Sequence, residues 1–231
     1  MIATADRVHA DGRVLVVAPH PDDETLGCGG TLMRLRQQGA ELAWLIVTGI
    51  SETNGWTGER VQRRDMEIAQ VAKMIGFASV FNLRLPTARL DTLPMAELID
   101  QFSGAFKSFN PEQVFLPSLS DVHTDHRVVF DAAAACAKWF RNPSVRRVMA
   151  YETISETGFG LSSERVFHPN YFVDISEFLE RKLEVMAVYK SELDEFPFPR
   201  SAEAVRAQAA VRGAASGFAA AEAFQLLRER L

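Results

Sequence analysis

RVLVVAPHPDDETLGCGGTLMRLRQQG, residues 13–39, decides the fold. RVLVVA (13–18) is apolar after Arg13 and rich in β-branched valine, the mark of a strand buried on both faces as in a parallel sheet. TLGCGGTLMRLRQQG (25–39) then places Leu26, Leu32, Met33 and Leu35 at helical spacing and closes on Gly39, a C-terminal cap residue. Between them, His20, Asp22, Asp23 and Glu24 crowd a strand-to-helix turn. In open α/β sheets the carboxyl end of a strand is where ligands bind.

The same alternation continues outward. ELAWLIVTG (41–49), ASVFNL (78–83), EQVFLPS (112–118) and RRVMAYE (146–152) read as strands, separated by helices over 58–76, 95–109 and 126–140. The order predicts one α/β domain over 1–231, a Rossmann-like, doubly wound and mostly parallel sheet flanked by helices. In the last third, 155–170 reads as a long loop and YFVDI (171–175) as a short strand. Helices are expected over 177–190 and 201–230, a C-terminal helical extension, with FPFPRS (196–201) breaking them because proline cannot donate a helical hydrogen bond.

Composition excludes several function classes. The formal net charge of −5 and the scattered Lys and Arg residues provide no basic field for nucleic acid. No apolar run approaches the roughly 20 residues of a membrane span, and no secretory leader pattern opens the chain, so no stable membrane insertion and a cytoplasmic location are expected. Cys28 and Cys136 fall in segments that read as buried, as packing residues of a protein in a reducing compartment. A homo-oligomer is compatible with all of this.

A second polar cluster, SDVHTDHR (120–127), also follows a strand. Both clusters therefore open on the same sheet edge, and His20, Asp22, Asp23, His123, Asp125 and His126 converge across about a hundred residues of chain. Each Asp taken alone is explained as a turn former or helix cap. Together they are not, because three of the five histidines fall in these two stretches and adjacent carboxylates repel unless a cation or proton holds them. Imidazole and carboxylate donors suit zinc, with Fe2+ or another divalent ion accepted by the same set. GCGG (27–30) lacks dinucleotide-binding spacing, so the glycines serve close packing of the first helix.

APHPDDE (18–24) paired with HTDH (123–126) resembles the LmbE-like, or PIG-L, family of metal-dependent N-deacetylases. Arg64 and Glu67 match the family's Arg-x-x-Glu, while Arg212, Gly213 and Ala221 to Phe224 match its closing segment. The resemblance implies His20, Asp23 and His126 as metal ligands, Asp22 as general base and His123 as the group facing the oxyanion. Chemistry agrees: attack on an amide needs a base to take and return a proton, and a protonated His123 would share the charge on the carbonyl oxygen. Asp125 would hold that imidazolium in place.

The family pattern puts Arg64 on a sugar hydroxyl or phosphate, against its reading as an exposed helix arginine. Thr87 stands where the family has a sugar-contacting aspartate, with Asp91 a candidate replacement. His9 and His168 read as surface or loop histidines. The expected partner is a small N-acetylated amino sugar or glycoconjugate. Two other classes share parts of this pattern: a metal-dependent amidohydrolase on a non-sugar acyl amide, and a non-catalytic sugar- or nucleotide-binding module.

Overall fold

A computed structural model describes residues 12–231, so His9 lies outside it. The first strand, β1 (Arg13–Ala18), sends Val14, Val16 and Ala18 to one face and Leu15 and Val17 to the other. Two apolar layers meet these faces, which is why the strand carries no polar alternation. β2 (Glu41–Gly49) and β3 (Ser79–Pro86) extend the sheet on one side of β1, and β4 (Gln113–Pro117) and β5 (Arg147–Tyr151) on the other, all parallel. One layer is built on Leu26, Leu32, Trp44 and Val71, the other on Phe102, Phe106, Val129 and Ala133.

The helices are α1 (Asp23–Gln37), α2 (Gly58–Ile75), α3 (Met95–Phe109), α4 (Thr124–Cys136), α5 (Leu179–Met186) and α6 (Ala202–Ser216). The strand order is β3-β2-β1-β4-β5-β7-β6, where β6 is Tyr171–Asp174 and β7 is Ala221–Glu229. Chain order reverses between β1 and β4. That switch point lies between the strands that feed the two polar clusters, and it opens the crevice where α/β folds bind ligands.

The helix expected over 201–230 stops at Ser216, where Gly217 takes φ 82, and 221–229 forms β7 instead. β7 lies antiparallel to β5 and β6, pairing Phe224 with both Tyr151 and Tyr171. AEAFQLLRE is rich in helix formers, but tertiary pairing overrides propensity. As a strand it buries Phe224 edge-on to Phe115, with ring centroids 5.2 Å apart, and aims Glu222 at α1.

That contact matters for the site. α1 is broken at Cys28 (φ −147, ψ 16), which separates Leu26 O from Gly30 N, partners in an unbroken helix. Glu222 accepts from Gly30 N at 2.9 Å and Thr31 N at 2.7 Å. Lys182 Nζ, 2.7 Å from Glu222, donates to Leu26 O at 2.7 Å. A buried ion pair thus substitutes for the missing ladder bonds. The glycines allow close approach here: a Cβ on Gly27 would stand 2.2 Å from the Tyr151 ring, and one on Gly30 2.7 Å from Ile175. Cys28 and Cys136 are buried free thiols.

Candidate active site

β1 ends at Ala18, and the next turn must face the crevice. Asp22 adopts φ 141, a region that a non-glycine residue occupies at a cost of about 1–3 kcal/mol, and such strain collects at functional sites. Glu24 braces this turn: its carboxylate accepts from Asp22 N at 3.0 Å, Thr25 Oγ1 at 2.6 Å and Tyr189 OH at 3.0 Å. Burial pushes Glu24 up to about 7 against these donors.

His20, Asp23 and His126 present donor atoms within 4.8 Å of one another. Asp23 Oδ2 lies 3.3 Å from His20 Nδ1 and 3.3 Å from His126 Nε2. A tetrahedral cation with bonds of about 2.0–2.1 Å holds its ligand atoms about 3.3 Å apart, so these donors fit zinc. The electrostatics agree. Burial disfavours charge on His20, yet Asp125 and Asp23 outweigh it and raise its pKa to about 9. Burial likewise opposes charge on Asp23, but His126 and His20 hold its carboxyl well below the usual range. The pocket favours positive charge between these groups.

Each of the two rings is backed by a carboxylate on its other nitrogen, the arrangement that fixes a ligating histidine. His126 Nδ1 meets Asp121 Oδ2 at 2.7 Å, and Thr157 Oγ1 donates to the other Asp121 oxygen at 2.6 Å. His20 Nε2 meets Asp125 Oδ2 at 3.2 Å. Ala88 N and Leu90 N, in the turn after β3, also donate to Asp125, at 2.7 and 3.2 Å. His20, His123 and Asp125 are also close enough to share a cation. Asp125 is already committed to two backbone amides, so the set built on Asp23 is the better fit.

Asp125 therefore does not hold His123 with its carboxylate, as the sequence suggested. It reaches His123 through the backbone, its N–H donating to His123 Nδ1 at 3.1 Å as the cap of α4. An Nδ1 that accepts a hydrogen bond carries no proton, which places the ring proton on Nε2. Burial, then the neighbouring His20 and His126, lowers the His123 pKa. The neutral ring, rather than the expected imidazolium, is the form this environment favours.

Asp22 and His123 line a cavity of about 420 Å³ together with His20, Asp23 and Thr87. Burial, Asp23 and Glu192 raise the proton affinity of Asp22, while Arg200 and His20 oppose them. Arg64 lines the same cavity but is not an exposed helix arginine. Its guanidinium donates to Pro21 O and Ser191 Oγ, both at 3.2 Å, approaches Glu67 at 3.3 Å and pairs closely with Glu192. Asp91 is exposed and does not line the cavity, so it does not stand in for Thr87. His168 is exposed.

Sequence reading did not single out Asp121, Glu192 or Arg200. Asp121 lies in the quoted SDVHTDHR and could have been found as a carboxylate beside a ligating histidine. Glu192 and Arg200 come from the segment around FPFPRS, which carries no pattern pointing to the site.

A family model described as PIG-L, GlcNAc-PI de-N-acetylase, matches residues 15–137, more than half of the chain and both polar clusters. The chain belongs to the PIG-L family. A diacetylchitobiose deacetylase from Thermococcus kodakarensis is 26% identical to this PIG-L protein over 195 residues, covering 79% of this chain and 71% of that one. The crystal structure of the conserved protein TT1542 from Thermus thermophilus matches with a TM-score of 0.75 at 29% identity, covering 94% of this chain and 96% of that one. GalB, a 4-carboxy-2-hydroxymuconate hydratase from Pseudomonas putida, shares the PIG-L fold at a TM-score of 0.71 and 18% identity, over 95% of this chain and 98% of its own. That last likeness is one of fold alone. No helix among the described residues is long and apolar enough to cross a membrane.

Proposed function

We propose that this protein is a zinc-dependent N-deacetylase that hydrolyses the acetamide of an N-acetylated amino sugar or its conjugate. The observation that carries the reading is the convergence of His20 Nδ1, Asp23 Oδ2 and His126 Nε2 in a cavity that also presents Asp22 and His123. A fold that also serves a hydratase does not choose the reaction by itself. The donor set and the family together support hydrolysis of an amide.

His20, Asp23 and His126 would hold a divalent cation, which when bound would supply Lewis acidity towards water and the carbonyl. The protein groups do the rest. Asp23 joins the two ligating rings, and Asp125 and Asp121 hold each ring from behind. Asp22, whose carboxylate makes no hydrogen bond among the described residues, takes the proton from the attacking water and returns it to the departing amine. His123, with its proton on Nε2, donates to the carbonyl oxygen as charge develops there.

The reading is tested by loading the protein with zinc and measuring acetate and free amine from N-acetylglucosamine, its phosphates and N,N'-diacetylchitobiose. Equal amounts of both products are expected from at least one of them. Fully loaded protein that releases acetate from none would overturn it.

A further inference from the structure

The arginines of the cavity wall are not equivalent. Arg64 is already engaged by Pro21, Ser191, Glu67 and Glu192. Arg200 donates to Glu192 O at 2.7 Å and approaches the Glu192 carboxylate at 3.5 Å. Arg60 stacks its guanidinium 4.6 Å from the centre of the Trp56 ring and makes no ion pair among the described residues. Among the described residues Arg63 pairs only with Glu59, at 2.9 Å, where the two side chains are 59% and 82% exposed and water competes for both. Stacking on an aromatic face leaves the N–H edge of Arg60 free to bind oxyanions in pairs.

Position adds to this. Trp56, Arg60 and Arg63 lie at the N-terminal end of α2, the positive end of its dipole. Arg60 precedes Arg64 by one turn, about 6 Å along the helix. Arg64 itself touches the metal-binding turn through Pro21 O. The unpaired Arg60 thus stands about one turn of helix beyond the residue that borders the chemistry, and Arg63 adjoins that residue in the chain. Of the carboxylates on the same wall, Glu67 and Glu192 are already paired with Arg64.

We propose that Trp56, Arg60 and Arg63 form a subsite for an anionic group, a phosphate or carboxylate, that the substrate carries away from its acetamide. The inference rests on the deacetylase reading and deepens it: the substrate is an acidic conjugate of the N-acetylated sugar rather than a neutral one. Arg60 supplies the unpaired guanidinium, Arg63 exchanges Glu59 for the ligand, and Trp56 holds Arg60 in place.

The test compares N-acetylglucosamine 1-phosphate and 6-phosphate with N-acetylglucosamine and N,N'-diacetylchitobiose. Dissociation constants come from calorimetry on zinc-loaded Asp22→Asn protein, and kcat/KM from the wild type. At least one phosphorylated sugar should bind about tenfold or more tightly than either neutral sugar, with the advantage shrinking as salt screens the charges. Arg60→Gln combined with Arg63→Gln, both exposed positions, should collapse that ratio towards one. Equal or weaker binding of both phosphates than of the neutral sugars would overturn the inference, as would a preference that survives the double substitution. Binding is decisive here even without turnover: absent acetate release overturns the deacetylase reading, while the binding ratio judges the subsite separately.

Discussion

Asp125 turns its carboxylate towards His20, with Oδ2 3.2 Å from Nε2, and gives His123 only its backbone N–H. A carboxylate in that place orients the ring and strengthens its other nitrogen as a donor. Asp125→Asn is therefore expected to weaken zinc binding by about 10–100-fold. Asp121→Asn should do the same through His126. Competition titration with a chromophoric chelator measures both, and wild-type zinc affinity in both variants would show that neither carboxylate tunes the site.

His20→Ala, Asp23→Ala and His126→Ala should each lose most bound zinc while circular dichroism still shows the folded sheet, because two remaining ligands hold a cation weakly. Metal analysis after dialysis is the readout. One zinc per chain in all three would rule out this ligand set.

Asp22→Asn should keep its zinc yet lose about 10²–10⁴ in turnover, the range for a lost acid–base group. His123→Ala should lose a comparable factor as the hydrogen-bond donor to the carbonyl oxygen disappears. In ¹⁵N-labelled protein the His123 ring should show an unprotonated Nδ1 and a protonated Nε2. A doubly protonated ring at neutral pH would restore the imidazolium role that the sequence suggested.

The ion pair between Lys182 and Glu222 that spans the break in α1 predicts an asymmetric result. Glu222→Ala strands the buried Lys182 ammonium and the amides of Gly30 and Thr31, at a cost of about 3–5 kcal/mol in denaturant unfolding. Adding Lys182→Met removes the stranded charge and should recover part of that loss. If the double variant is no more stable than Glu222→Ala, the charge is not what makes the single substitution costly.

Much of this protein is decided locally. The runs at 13–18 and 41–49 had to be buried strands, because the side chains that follow Arg13 and Glu41 are almost all apolar, and both emerge with the expected bounds. The two clusters had to meet, because parallel strands share one carboxyl edge and β1 and β4 are neighbours. What stayed hidden was the choice of partner. A run of helix formers at 221–229 becomes a strand because β5 and β6 offer it hydrogen bonds and α1 needs Glu222. His20 takes Asp125, and Arg64 takes Glu192, across 105 and 128 residues of chain. Periodicity is a property of a few neighbouring residues, so sequence alone determined the five parallel strands, the helices between them and the edge where chemistry sits. Which carboxylate backs which ring, and which arginine stays free, was decided only when packing brought distant segments within hydrogen-bond reach.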